Sequence, residues 1–491
     1  MNWKNKLIPI LLGPALFVLM EILGPPSTMN MAAYQVLCVT AWVAVWWITE
    51  AIPIAVTAML PIVLFPLTGA LSLSATTASF GHKYIFLYLG GFLLAIAIEK
   101  WNLHKRIALN IINLIGSNIN TIILGFMVAT GFMSMWISNT ATSVMMLPIG
   151  MAVVSQFKKG DDGKTADTQF VGKALMLAIA YSASIGGFAT LIGTPPNLVL
   201  AGVLEETYGV KISFMEWMKI GLPISILLLV ICWVYLTRFA YKFEQKEFPG
   251  GEKEIKSMLS KLGKMSSEEK IVLMVFAGTA ILWMTRSLIE KVIPAIDDTI
   301  IAMIAGISLF IIPAKNNSRI IDWKECADIP WGIILLFGGG MALAEGFSET
   351  GLAQWIALQM TQMQGLHMLI LILVLVASVN FLTEITSNLA TTAMLLPVLA
   401  PMAFAFDLHP YMIMVAVTIS ASCAFMLPVA TPPNAVVFGS GYLRIPDMVK
   451  AGIWMNLISI FVVTLFTYYL LPVFWDFIPD EFPAAFNLIS K

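Results

Sequence analysis

Two short segments carry the same uncharged polar groups inside otherwise apolar sequence. S-N-T-A-T-S-V-M-M-L-P begins at Ser138, and S-N-L-A-T-T-A-M-L-L-P begins at Ser387. An Asn amide offers two donors and an acceptor, and the neighbouring hydroxyls add more of both. Two further segments, I-G-T-P-P-N ending at Asn197 and V-A-T-P-P-N ending at Asn434, each hold two consecutive prolines. Each proline removes an N–H donor and stops a regular helix, so carbonyls near Gly193 and Ala430 lose their intrahelical partners. Freed carbonyls, with Ser and Asn oxygens, are ligands for a hard cation such as Na⁺. Free N–H groups at a helix N-terminus suit a carboxylate. The segments 134–148, 181–201, 383–397 and 418–436 contain no Lys, Arg or His. A dianion bound there must therefore bring its positive charge with it, because burying an unpaired carboxylate costs roughly several kcal/mol.

A lone Ser or Thr in a membrane helix commonly bonds only the preceding turn, and a lone Pro commonly only kinks the helix. Here the motifs come in pairs. The S-N clusters lie 249 residues apart, and Gly90-Gly91 with Gly339-Gly340 and Leu103 with Leu352 keep that offset. The T-P-P-N segments lie 237 apart, so one loop of the second copy is shorter. This is an internal duplication.

The elements that must hold these motifs are spanning helices. Of 491 residues, 59% are hydrophobic and only 12% charged, with mean hydropathy +0.86. Soluble domains average roughly 25% charged, so the composition specifies an all-α polytopic membrane protein and excludes a soluble enzyme or a disordered chain. With 28 basic against 29 acidic residues, there is no excess for nucleic acid. Apolar runs at 7–24, 31–50, 52–70, 84–99, 175–208, 220–240, 271–291, 296–313, 330–347, 410–441 and 451–475 read as eleven spans. The stretches near 120–156 and 366–405, polar at their centres, read as re-entrant hairpins. The runs near 175–208 and 410–441 read as broken helices.

With the N-terminus in the cytoplasm and each hairpin returning to its own side, 21 Lys and Arg fall inside and 6 outside, with Arg238 at the inner end of a span. This predicts a cell-membrane protein with a cytoplasmic N-terminus and an external C-terminus. The two S-N clusters then enter from opposite faces, as an inverted repeat. The organisation reads as an N-terminal span (1–30), a first repeat (31–241), a charged and solvated cytoplasmic connector (242–270), a second repeat (271–475) and an external tail (476–491). Substrate and ion sites of such folds lie at the midplane, where broken elements of the two halves meet.

Other signals carry less. Cys38, Cys232, Cys326 and Cys423 are scattered and read as isolated thiols, the four His as interfacial groups, and G-D-D-G-K-T at 160–165 lacks the spacing of a phosphate loop. The first apolar run ends at Gly24-Pro25-Pro26 without a small-residue cleavage site and reads as a retained span. Glu50, Glu345 and Glu384 lie in or beside spans. Intramembrane carboxylates are functional candidates, and Glu384, beside Thr383, is placed to tune a cation site.

The S-N-T-A-T and S-N-L-A-T clusters, the paired T-P-P-N segments, W-W-I-T-E-A-I-P-I-A-V-T-A-M-L-P (46–61) and F-L-Y-L-G-G-F-L-L-A-I-A-I-E-K-W-N-L-H-K-R-I-A-L (86–109) resemble the divalent anion/sodium symporter family. These are the INDY-type dicarboxylate and citrate transporters, and the resemblance covers about residues 30–475. It implies a homodimer of scaffold and transport domains moving as an elevator, with no organic cofactor. It implies one Na⁺ site at Ser134, Ser138, Asn139 and Gly193, and a second at Thr383, Thr386, Asn388 and Ala430. It implies substrate contacts from Asn139, Thr140, Thr194, Asn388, Leu389, Thr431 and Pro432. Many bacterial members carry Thr where this chain has Leu389, so one hydroxyl is missing from that side.

The resulting expectation is Na⁺-coupled symport of C4 dicarboxylates (succinate, malate, fumarate), extending to citrate. Na⁺-independent exchange on the same fold is the alternative. An embedded enzyme lacks a metal-binding His cluster, a nucleophile–base pair or a cofactor loop, and a passive channel has no need of paired broken elements.

Overall fold

The apolar runs fold into helices in a computed structural model that describes residues 7–116, 118–160, 165–241, 243, 251–315, 318–360 and 367–486. Five helices come first: α1 (Leu7–Leu23), α2 (Met31–Thr49), α3 (Ile54–Thr57), α4 (Leu60–Thr68) and α5 (Leu73–Ala78). A series follows: α6 (Lys83–Lys100), α7 (Leu103–Ile115), α8 (Ile119–Ser134), α9 (Asn139–Gly160), α10 (Thr165–Gly187), α11 (Pro195–Tyr208) and α12 (Phe214–Val234). The connector carries α13 (Gly251–Leu262), and α14 (Ser267–Ile289) and α15 (Asp298–Ile311) come next. The series then recurs as α16 (Trp331–Glu349), α17 (Leu352–Met360), α18 (Met368–Leu382), α19 (Asn388–Ala405), α20 (Pro410–Ala421), α21 (Pro432–Phe438) and α22 (Ile445–Leu465), before α23 (Leu471–Trp475). Among the described residues there is no strand, only an isolated bridge between Pro313 and Arg319.

The recurrence is close. Helix starts at Leu103, Ile119 and Asn139 return 249 residues later at Leu352, Met368 and Asn388. Those at Pro195 and Phe214 return at Pro432 and Ile445, offsets of 237 and 231. Both α12 and α22 run directly into a π-helical turn, Tyr235–Ala240 and Phe466–Leu470, again 231 apart. Eight helical stretches among the described residues are long and apolar enough to cross a membrane, and shorter apolar helices accompany them.

Local chemistry sets the ends. Asn118 caps α8 with Thr121, Ser213 caps α12 with Glu216, and Ser266 caps α14 with Glu269, each pair satisfying N–H groups in both directions. Two expectations change. The run 52–70 is not one span but the short helices α3 and α4, because Pro53 and Pro61 interrupt the ladder of N–H donors. The connector is not simply solvated: α13 packs against α7 and α9, with Ile255 buried. Arg106 of α7 reaches across to Glu269, at 3.0 Å from Nε to Oε1, and to the Leu262 and Gly263 carbonyls.

Close approaches bring the motif-bearing helices together. A Cβ at Gly186 would collide with the backbone of Gly131, so α10 lies directly on α8. The T-P-P-N helices cross between halves: α21 packs on α9 and α10, and α11 packs on α16, α19 and α20.

Candidate functional site

Each S-N cluster sits in a helix–loop–helix unit, α8–α9 or α18–α19, and each loop folds on the same plan. The Ser134 hydroxyl lies 2.5 Å from Asn139 Oδ1 and 2.7 Å from the Ala183 carbonyl oxygen. The Thr383 hydroxyl lies 2.8 Å from Asn388 Oδ1 and 2.8 Å from the Ala421 carbonyl oxygen. A hydroxyl has one proton to donate. Each unit therefore gathers three oxygens around a single proton in buried surroundings. Such a set is short of donors and suits a hard cation, which takes oxygen ligands.

The broken helices complete each cluster. In the first, residues 188–194 separate α10 from α11, and the Asn197 side chain ties the break together. Its Nδ2 donates to the carbonyls of Gly187 (3.4 Å) and Thr190 (2.6 Å). Asn434 repeats this, donating to Ala424 (3.3 Å) and Leu427 (3.0 Å). The backbone N–H of Asn197 turns to Thr194 O at 3.3 Å, and that of Asn434 to Thr431 Oγ1 at 3.3 Å. The i−4 carbonyls of Gly193 and Ala430 are thereby released by the turning of the Asn197 and Asn434 N–H groups, not by the N–H groups that the prolines lack. Asn197 Oδ1, Asn434 Oδ1 and the hydroxyls of Ser184 and Ser422 are buried with no hydrogen-bond partner in the structure.

The proposed first ion set assembles tightly. Ser134 and Asn139 bond directly, and a Cβ at Gly193 would fall on the Gly187 carbonyl and within 2.9 Å of Ser134 O. Ser138 instead caps α9, its Oγ accepting from Ala141 N–H at 3.2 Å. In the second set Thr383 and Asn388 bond directly, while the Thr386 hydroxyl turns to Leu382 O (2.8 Å) and Thr391 Oγ1 (2.6 Å). Ala430 is buried beside the N-cap of α21. Of the substrate set, Asn139 and Asn388 are half-buried at the starts of α9 and α19. Thr194 and Thr431 are buried N-caps of α11 and α21, Thr140 and Pro432 are exposed, and Leu389 is buried in the core.

Glu384 accepts four hydrogen bonds beside the second cluster. Oε1 accepts from the N–H groups of Phe425 (2.7 Å) and Met426 (2.9 Å) and from Asn456 Nδ2 (2.7 Å), and Oε2 from Leu427 N–H (3.0 Å). The carboxylate holds the unwound segment between α20 and α21. Sequence reasoning singled out Glu384 but missed Asn456, a single amide in an apolar helix, and the Ala183 and Ala421 carbonyls, which carry no side-chain signal.

Residues 4–476 match the sodium:sulfate symporter transmembrane region. The chain belongs to that family. The sodium-dependent dicarboxylate transporter SdcS of Staphylococcus saprophyticus is 48% identical over 477 residues, covering 95% of this chain and 92% of that protein. SdcS of Staphylococcus aureus strain USA300 is 47% identical over 477 residues, covering 96% and 92%. These relatives are transporters, not enzymes. Two solved structures share the fold at 12% identity. MtrF of Neisseria gonorrhoeae, described among antimetabolite efflux pumps, has a TM-score of 0.57 over 92% of this chain and 98% of its own. The YdaH transporter of Alcanivorax borkumensis has 0.55 over 82% and 88%.

Proposed function

We propose that the chain is a Na⁺-coupled symporter of C4 dicarboxylates such as succinate, malate and fumarate, with citrate as a larger substrate. The observation that carries this reading is the pair of oxygen clusters, each with three oxygens around one proton, in segments without Lys, Arg or His. The similarity to the SdcS transporters supports both the ion and the substrate class. One Na⁺ is held by Ser134, Ser138, Asn139 and Gly193, and a second by Thr383, Thr386, Asn388 and Ala430. The two Asn residues link ion and substrate. A cation that draws Oδ1 towards itself turns the amide NH₂ outward, where it donates to a carboxylate. Thr140, Thr194, Leu389, Thr431 and Pro432 line the rest of the substrate site, and the starts of α9 and α19 add partial positive charge.

In the same reading the two series are inverted repeats, α8–α9 and α18–α19 are re-entrant hairpins, and scaffold and transport domains move as an elevator in a homodimer. The N-terminus is cytoplasmic and the C-terminus external. Residues 31–241 and 271–475 form the two repeats, flanked by the span 1–30 and the tail 476–491. The connector 242–270 lies on the cytoplasmic side. ²²Na⁺ uptake into proteoliposomes, with and without external succinate, tests the proposal. Succinate-dependent uptake that K⁺ or choline cannot replace is expected. Succinate exchange that proceeds in Na⁺-free buffer against internal succinate overturns it.

A further inference from the structure

A groove of about 760 Å³ lies away from the S-N clusters, between the start of α10, the end of α12 and the first half of α22. Its walls are apolar, with Phe170, Val230, Phe239 and Trp454 all large and exposed. All three of its helical walls, α10, α12 and α22, include stretches long and apolar enough to cross a membrane. One end is polar. Lys173 Nζ bonds Asp447 Oδ1 at 2.7 Å, and Arg444 Nε lies 3.3 Å from Asp447 Oδ2. Lys450, exposed on the groove lining, has no carboxylate partner among the described residues. The rim therefore carries a net positive charge above an apolar trough.

The repeat shows what such a groove accepts. At the 231-residue offset Asp447 and Lys450 correspond to Glu216 and Lys219, and at the 238-residue offset that pairs Ala183 with Ala421, Phe170 and Lys173 correspond to Leu408 and Tyr411. That second groove is filled by the protein's own aromatic tail. Trp475 Nε1 donates to Glu216 O at 2.9 Å, and the Tyr411 ring packs on Trp475 at 4.6 Å and on Phe477 at 5.5 Å. His409 N–H bonds Pro479 O at 3.0 Å. The first groove has the same frame and apolar walls, and among the described residues its trough is open.

We propose that this groove binds one anionic phospholipid. The headgroup phosphate sits at Lys450 and the Lys173–Asp447 pair, and an acyl chain lies along Val230 and Trp454. Basic pockets between spanning helices at the membrane surface are suited to anionic headgroups, and a Lys near that surface is worth roughly 1 kcal/mol, about fivefold in affinity. The inference is independent of the transported substrate.

Native mass spectrometry of the purified protein in mild detergent, titrated with phosphatidylglycerol or phosphatidylcholine, tests it. One phosphatidylglycerol per protomer is expected at concentrations where phosphatidylcholine is not retained. Lys450→Gln, at an exposed position, weakens retention about fivefold. Val230→Trp, which fills the trough from an exposed wall, abolishes it, while both variants keep the wild-type melting temperature in lipid-free detergent. Equal retention of the two lipids overturns the proposal, as does wild-type retention by Val230→Trp. Competition by glycerol phosphate, which has the anion but no chain, points to a free phosphate site and overturns it too.

Discussion

Replacing Glu384 by Gln removes one charge and changes almost no volume, so its consequences can be worked from four hydrogen bonds. The glutamine carbonyl can occupy the place of Oε1 and keep the Phe425, Met426 and Asn456 donors. Bonds to a charged acceptor are worth roughly 1.5–3 kcal/mol and neutral ones roughly 0.5–1.5, so each of the three weakens by about 1 kcal/mol. The amide NH₂ then faces Leu427 N–H, which Oε2 accepted at 3.0 Å, and one donor is left unpaired at a cost of roughly 1–3 kcal/mol. Against this total of roughly 4–6 kcal/mol, a neutral side chain avoids burying an ion, which returns several kcal/mol. A net weakening of about 1–2 kcal/mol remains, roughly five- to thirtyfold in an equilibrium constant. It falls on the segment that leads to Ala430, and so on the second oxygen cluster. The expected result for Glu384→Gln is a loss of about tenfold in the affinity of one ²²Na⁺ site in the purified protein, with total capacity unchanged. Asn456→Ala, which removes one of the four donors, should shift the same site in the same direction by less. Wild-type Na⁺ affinity in a folded Glu384→Gln protein would refute the reasoning.

Asn139→Ala and Asn388→Ala each remove an amide from an oxygen cluster, and succinate transport in proteoliposomes should fall at least ten- to a hundredfold, the equivalent of roughly 1.5–3 kcal/mol for a charge-assisted bond. Gly187→Ala places a methyl group on the Asn139 amide; Na⁺ binding at the first cluster should be lost and that at the second retained, in contrast to an alanine already present as Ala424 at the corresponding position of the second repeat. Leu389→Thr exchanges buried apolar volume for a hydroxyl, and competition assays should show an altered ratio of succinate to citrate uptake. Single cysteines at the exposed positions of Asn120 and Ser155 should label from the cytoplasm and those at His367 and Phe404 from outside; labelling of both pairs from one side contradicts the inverted arrangement.

The parts of the site readable in advance are those where composition and backbone chemistry coincide. Two adjacent prolines stop a helix wherever they occur, so the breaks before Pro195 and Pro432 follow from residue type alone, whereas the release of the Gly193 and Ala430 carbonyls comes from the turned N–H groups of Asn197 and Asn434. Asn139 and Asn388 stand out because an amide is costly in an apolar run. The carbonyls of Ala183 and Ala421 could not be read, since their partners Ser134 and Thr383 lie 49 and 38 residues away and alanine has no polar side chain to mark them. Hydropathy measures length and not continuity, which hid the break between α3 and α4. In the connector the signal was present but outweighed: Ile255, Met258, Leu259 and Leu262 follow helical spacing within a charged run, and that stripe packs α13 onto α7 and α9.

The two halves share a backbone plan but clamp their unwound segments with different chemistry. In the first, the Thr190 hydroxyl donates to Met135 O at 2.6 Å, Ser225 to Ile185 O at 2.9 Å and the Trp217 indole to Phe188 O at 2.9 Å. All of these bonds are neutral. In the second, Met135 is replaced by Glu384 and Ser225 by Asn456, while Asn380 Nδ2 donates to Cys423 O at 2.8 Å, where Gly131 stands in the first half. A duplicated fold with identical clamps would present two equivalent cation sites. Here a fixed carboxylate adjoins the second cluster, and none of its hydrogen-bond partners is cationic. Its field favours a cation at Thr383 and Asn388 over one at Ser134 and Asn139. Under the proposed symport the second cluster therefore fills at the lower Na⁺ concentration, and the first becomes occupied as the substrate's carboxylate approaches Asn139.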